Sequence, residues 1–210
     1  MLFYLCKIPK IKIKIFSSKN NQAIVNNIND DSIQVHIIKY VNLSVGYRVI
    51  WQQLMLPIYL HIYKCNILFS PGNITPILSP IKTIQWVGTI GPFCHDFYKN
   101  LLLKEKIKVF INKLFMVASA YSSNAVIFES RYTKNLFNKR YHVSDNKSYV
   151  INIGKDVFFE CVDSKYDVEL DAEYKKYKPY VLCVSHLYPY KNIIRMLIAF
   201  NAAIQKTNIN

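Results

Sequence analysis

Along this chain the hydrophobic period changes repeatedly. Short apolar runs, many of them β-branched, alternate with longer segments patterned as helices. Strands are expected at residues 11–16, 33–38, 66–69, 81–87, 125–128, 149–153 and 180–185. Helices are expected at 22–29, 48–63, 101–119, from Ser130 to about residue 138, and at 192–205. Most strand runs are apolar throughout rather than alternating, as in strands covered on both faces. Such a sheet needs crossover helices, so the expected fold is α/β with a parallel sheet. Open α/β sheets bind ligands beyond the carboxyl ends of their strands, so function is sought in the loops that follow strands.

Several local features carry expectations of their own. The helix at 48–63 is apolar enough to be largely buried, and Pro57 should kink or divide it. Ser70-Pro71-Gly72-Asn73 stops the third strand, and Pro followed by Gly at the central positions has the chemistry of a type II turn. In the helix at 101–119, Lys104, Lys106, Lys108 and Lys113 mark an outer face, with Ile107, Phe110, Ile111 and Leu114 turned to the core. A competing reading lays the same lysines on an anionic membrane. Ser130 reads as a helix cap. A charged, loop-like stretch at 163–178 reads as a linker, and Pro179 marks a boundary.

Composition narrows the classes. Of 210 residues, 51% are hydrophobic and 19% charged, which excludes a disordered or low-complexity chain. Lys and Arg number 27 against 13 Asp and Glu, a formal charge of +14. That charge suits nucleic acid, an anionic membrane or phosphorylated substrates. It equally suits a bias of base composition towards Lys, Asn, Ile and Tyr. The cations are scattered, with no run of five and no Arg-rich arm, so no nucleic-acid partner is expected. The five cysteines are far apart and odd in number, which points to reduced thiols in the cytoplasm and to neither zinc nor a disulfide framework. The longest apolar stretch, 49–69, is interrupted by Gln52, Gln53, His61, Lys64 and Asn66, so no spanning helix is expected. Residues 1–8 lack the small-residue cleavage site of a signal peptide.

The sharpest chemical feature is Tyr180-Val-Leu-Cys-Val-Ser-His-Leu-Tyr-Pro-Tyr-Lys-Asn-Ile193. A strand ends at Ser185-His186, a Pro-containing loop follows, and Lys191 sits where the next helix begins. A helix start offers unpaired N–H groups and partial positive charge, so a lysine there is unfavourable unless an anion shares the place. A phosphate would satisfy both. The plain alternative makes Lys191 a solvated loop residue.

This segment resembles the opening of the nucleotide-binding domain of retaining GT-B glycosyltransferases of the family 4 type. There a strand is followed by Gly- or Ser-Arg-Leu, a Pro-containing loop and Lys-Gly or Lys-Asn. Three more stretches are similar to that family in the same order. Arg48-Val-Ile-Trp-Gln-Gln-Leu-Met-Leu-Pro57 with Ile67-Leu-Phe-Ser-Pro-Gly-Asn73 resembles an Arg-x-x-Trp-Glu-Gln…Leu-Pro…Leu-Phe-Ser-Pro-Gly-Asn pattern. Val126-Ile-Phe-Glu-Ser-Arg-Tyr-Thr-Lys134 resembles a strand–Ser–helix step, and Ile151-Asn-Ile-Gly-Lys-Asp156 with Phe158 and Phe159 resembles a Gly-x-Asp…Phe stretch.

The resemblance implies a Rossmann-like parallel-sheet domain of GT-B type at 1–162, a linker at 163–178 and, at 179–210, only the first βα unit of a nucleotide-sugar-binding domain. It implies a hexosyltransferase-type enzyme moving a sugar from a nucleotide-diphosphate sugar to a hydroxyl, in polysaccharide or glycoconjugate synthesis. Lys191 and His186 would hold the donor diphosphate, with His186 standing where the family has arginine. Histidine is the weaker anion donor near neutrality. No metal or other cofactor is expected, the acceptor is of a lipid-linked kind, and the place of action is the cytoplasm or the inner face of a membrane.

Gly72, Asn73, Ser130 and His95 are the candidates for lining the cleft. For Gly72 and Asn73 a purely structural turn weighs as much. His95-Asp96 after Gly91-Pro92-Phe93 suggests a general base, against the plain reading of a chance dipeptide. The family's Gly-rich first loop has no counterpart here. No two of Glu105, Glu129, Glu160, Glu169 and Glu173 have its Glu-x7-Glu spacing. The chain therefore reads as truncated at both ends. The rival expectations are a non-catalytic partner subunit, a degenerate remnant, or a basic surface binder.

Overall fold

The computed structural model describes residue 5 and residues 7–21, 30–39, 45–98, 101–154, 181–185 and 191–207. The helix expected at 22–29, the linker at 163–178 and His186 lie outside the described residues. The described strands and helices, in order, are β1 (Ile13–Ser18), β2 (Ile33–Ile38), α1 (Val45–Ile50), a π turn (Trp51–Met55), α2 (Leu56–Ile62), β3 (Ile67–Ser70), β4 (Lys82–Val87), α3 (His95–Tyr98), α4 (Leu103–Ser122), β5 (Ala125–Phe128), α5 (Arg131–Tyr141), β6 (Ser148–Val150) and α6 (Ile193–Thr207). The fold is α/β. β1 and β2 pair in parallel from Ile13↔Ile33 to Ser18↔Ile38. A four-stranded parallel sheet has the order β3-β4-β5-β6. That architecture is compatible with a Rossmann-like fold.

The chain divides into two compact units, one of Met1–Val87, Phe115–Ile127 and Val143–Ser148, the other of Gly88–Leu114, Phe128–His142 and Tyr149–Asn210. In the first, the helix around Pro57 is divided, as expected, into α1, a π turn and α2, with Pro57 in the first turn of α2. A proline inside a helix has no N–H to give and presses on the carbonyl four residues earlier. The chain absorbs this by widening one turn, and the Leu56 N–H donates to the Trp51 carbonyl, five residues back. Trp51, Leu56 and Leu60 then form a small core with Phe16, Ile38, Tyr59, Cys65, Leu68 and Ile81 around it. The expectation of a largely buried helix is corrected here. Ile50, Leu54, Ile58 and Ile62 are exposed, because the helix has one packed face and not two.

β4 is buried in an unexpected way. Its covered positions are Thr83, Gln85 and Val87, while Ile84 and Trp86 are only half-buried. Polar groups can be buried when each is hydrogen-bonded. The Thr83 N–H donates to Asn124 Oδ1 at 2.9 Å, and the Asn124 N–H returns to the Thr83 carbonyl at 3.0 Å. Lys147 Nζ donates to the carbonyls of Tyr121 and Ser123 at 2.8 and 3.1 Å, satisfying groups that the end of α4 leaves open.

The second unit is built on aromatics. Phe137 packs on Phe93, Phe128 and Tyr141 with ring centroids 5.0, 5.5 and 5.4 Å away. Lys113 does not sit on a wholly solvated face, since its Nζ lies 5.7 Å from the Phe93 ring centroid and 5.8 Å from that of Tyr141. A second correction concerns α4. Ile107, Phe110, Ile111 and Leu114 are exposed rather than turned to the core, and the residues of α4 that are buried are Met116, Ser119 and Ala120.

A third correction concerns the segment read as a buried strand at 180–185. Among the described residues, 181–185 form no strand and are exposed, with Val184 at 87%. Apolar sequence does not make a strand without a neighbouring strand to bond. The α6 residues Ile194, Leu197 and Ile198 are likewise exposed.

Candidate functional site

In the first unit the turn after β3 comes at that strand's carboxyl end, as expected, but its chemistry differs. Gly72 does not take a positive φ, so the turn is not type II. The left-handed residue is Asn73, with φ 68°, and asparagine is among the few side chains that tolerate that region. Gly72 is exposed, and a methyl group added there would meet nothing within 4 Å. Neither crowding nor backbone strain explains a glycine at this place.

Behind the turn lies a network of buried amides and hydroxyls. Gln85 is fully buried, and its Nε2 donates to the Asn73 carbonyl at 2.5 Å and to the Met116 carbonyl at 2.9 Å. One side chain thus ties β4, the turn and α4. Thr75, also fully buried, gives its N–H to Ser119 Oγ at 3.1 Å, accepts from that hydroxyl at 3.0 Å, and pairs its own hydroxyl with Ser123 at 3.1 Å. Gln53, within the π turn, donates to the Thr75 carbonyl and accepts from the Ile77 N–H, both at 2.9 Å. The loop is fixed by side chains on three elements, so Gly72 and Asn73 are presented on a rigid mount.

Sequence reasoning missed Gln53, Thr75, Gln85, Ser119 and Ser123. The available signal was a glutamine inside the otherwise apolar run 84–87, since a buried amide must find partners.

A cavity of about 780 Å³ lies at the opposite, amino ends of β3 and β4, lined by Cys65, Asn66, Ser79, Lys82 and Asn124 among others. The Asn124 carboxamide oxygen is already committed to Thr83. This opening is not at the carboxyl edge where the motifs fall.

In the second unit Ser130 is the N-cap of α5. Its Oγ accepts from the Thr133 N–H at 3.1 Å, which accounts for the residue without any ligand. His95 opens the short helix α3, so it and Asp96 are consecutive on a helical turn. The Tyr98 hydroxyl donates to the Pro92 carbonyl at 2.8 Å, and burial raises its pKa above the ordinary tyrosine value. Gly91 has a plain steric role, since a Cβ there would come within 3.1 Å of the Phe97 ring. Lys191 is exposed and stands two residues ahead of α6, as the sequence suggested. Asn192 between them has φ 57°, and its carbonyl accepts from the Met196 N–H at 3.1 Å.

Gly72 and Asn73 therefore belong to one unit, and His95, Ser130 and Lys191 to the other. No protein-family model matches this chain, and no curated protein matches it.

Proposed function

We propose that this chain belongs to a glycosyltransferase of GT-B type. It would act in the cytoplasm, at the inner face of a membrane, in polysaccharide or glycoconjugate synthesis. The donor is a nucleotide-diphosphate sugar and the acceptor a hydroxyl. In the transfer the bond between the anomeric carbon and the phosphate oxygen breaks, and a bond to the acceptor oxygen forms. The acceptor proton passes to the departing diphosphate, whose developing charge is what the protein must stabilise. Lys191, ahead of a helix start, supplies cationic and N–H donors of the kind a diphosphate needs. His186 is assigned beside it by sequence.

The observation that carries this reading is the Ser70-Pro71-Gly72-Asn73 turn. It stands at the carboxyl end of a parallel strand, is fixed from behind by Gln85, and has an open glycine that the fold does not demand. The test is binding of uridine- and guanosine-diphosphate hexoses to the purified chain by calorimetry, beside Lys191→Ala and Gly72→Ala. Lys191→Ala should weaken binding about tenfold, the scale of one charge-assisted contact. Gly72→Ala should leave thermal stability unchanged and lower turnover of acceptor. A folded chain that binds none of these donors, or binds them equally well without Lys191, overturns the assignment.

A second reading is favoured by one observation. Val181, Leu182 and Val184 are exposed together with the apolar residues of α6, a surface that needs a cover. A non-catalytic partner subunit would find that cover on another polypeptide. Co-purification of a chain that shields 181–207 from proteolysis, without donor binding by either chain alone, would establish it.

A further inference from the structure

The exposed side of α4 has a pattern that the transfer reaction does not use. Along its first three turns Leu103, Ile107, Phe110, Ile111 and Leu114 are each about half-exposed or more, and Leu102 just ahead of the helix is also exposed. At 100° per residue these side chains occupy an arc of roughly 100°. Lys104 and Lys108 border that arc on one side, Lys106 and Lys113 on the other. The face with Met116, Ser119 and Ala120, which is the buried one, lies opposite. The helix is therefore not amphipathic in the sense of a core helix. The large apolar side chains of its first three turns face out, and the residues it buries are Met116, Ser119 and Ala120 of its second half.

The acidic residue of this stretch is spent locally. Glu105 Oε2 accepts from the Leu102 N–H at 2.9 Å at the helix start, where a carboxylate is favoured. What remains is an apolar stripe between two rows of lysine on a chain of net charge +14. Lysine stems lie along apolar surface while their ammonium groups reach outward, so Lys104, Lys106 and Lys108 can meet a plane of negative charge as the stripe enters it, while the Lys113 ammonium stays over the Phe93 and Tyr141 rings. The helix is also not a spanning one, since no described helix is long and apolar enough to cross a membrane.

We propose that this face of α4 rests on an anionic lipid bilayer, with Phe110 and its apolar neighbours at the boundary of headgroups and acyl chains and Lys104, Lys106 and Lys108 among the lipid phosphates. This deepens the membrane location given above and stands without the transfer reaction.

The purified full chain is sedimented with vesicles of phosphatidylcholine alone and of phosphatidylcholine with phosphatidylglycerol, at low and at physiological salt. The expected result is binding to the anionic vesicles that weakens with salt. Lys104→Ala/Lys106→Ala/Lys108→Ala should lower it about a hundredfold, at about fivefold per lysine. Phe110→Trp, a conservative change at an exposed site, reports insertion directly once the parent's own fluorescence is subtracted. The emission of the introduced indole should shift to the blue on anionic vesicles and stay unshifted on neutral ones. Equal binding to both lipids, binding unchanged by the triple substitution, an unshifted emission from the Phe110→Trp variant on anionic vesicles, or binding to an oligonucleotide in place of vesicles would each overturn the proposal. Donor binding is measured separately, so failure of one proposal leaves the other standing.

Discussion

β4 and the segment 181–185 invite direct comparison. Both read as strand-forming apolar runs ahead of a loop. β4 has a strand on each side, and its side chains at 83, 85 and 87 are buried. The other run has no strand beside it among the described residues and is exposed throughout. The more polar of the two is the buried one. Burial is decided by what surrounds a run, and hydrophobicity only makes it favourable when partners are present. Once partners exist, the sheet accommodates even a glutamine, whose Nε2 donates twice while its Oε1 stays buried without a partner.

The largest effect should come from attacking that glutamine. Gln85→Leu leaves the Asn73 and Met116 carbonyls without their side-chain donor in a buried place. The cost is about 1–3 kcal/mol for such a loss, read as a fall of several degrees in Tm. An unchanged Tm would mean that the turn is not held from behind.

A smaller, pH-dependent effect should come from His36 on β2. Its ring stacks on Phe16 at 5.4 Å and lies 4.2 Å from that of Tyr63. Its Nε2 is buried without a partner. Trp51 and Tyr59 complete the aromatic surround through Phe16, and the Lys14 ammonium lies 5.1 Å from the Tyr63 ring centroid. Burial first, and the Lys14 charge second, lower the His36 pKa below its ordinary value. Folding thus favours the neutral ring. Its contribution is whole above about pH 6.5, the unfolded value, and is lost as pH falls from there through the folded value. Melting at pH 7.5 and pH 5 should show that loss, and His36→Phe should flatten the difference. A variant as acid-sensitive as the parent would place the effect elsewhere.

The smallest effect sharpens the contrast. Val184→Ser should change stability by no more than about 0.5 kcal/mol, as at other exposed sites, measured by denaturant unfolding. A loss of several times that size would mean the segment is covered in solution.

Much of the fold was legible in the residues. β2 and β5 fall at the expected bounds, Ser130 caps its helix, and a parallel α/β architecture follows from the change of period. What stayed hidden depends on contacts between distant positions. The turn at 70–73 carries the right residues for type II, yet its left-handed residue is Asn73, and the carbonyl of Asn73 is held by Gln85. The face of α4 was misread because a helical period reports that a stripe exists but not which stripe meets the core. The exposed run at 181–185 shows the same limit for strands. For the candidate site, the motif positions could be named from sequence, but the mount beneath them could not.

The π turn at Trp51–Met55 resets the register of its helix. Trp51 and Leu56 are five positions apart, which an unbroken α-helix would place on different faces. The wide turn brings them back into line with Leu60, so the helix behaves as though it had accepted one residue more than its period allows. The surplus is not idle, because Gln53 within that turn grips the loop that carries Thr75. Deleting Gln52 together with Pro57→Ala would restore a regular helix and keep the buried trio in line while displacing the grip. Such a variant would have the same core and a looser loop.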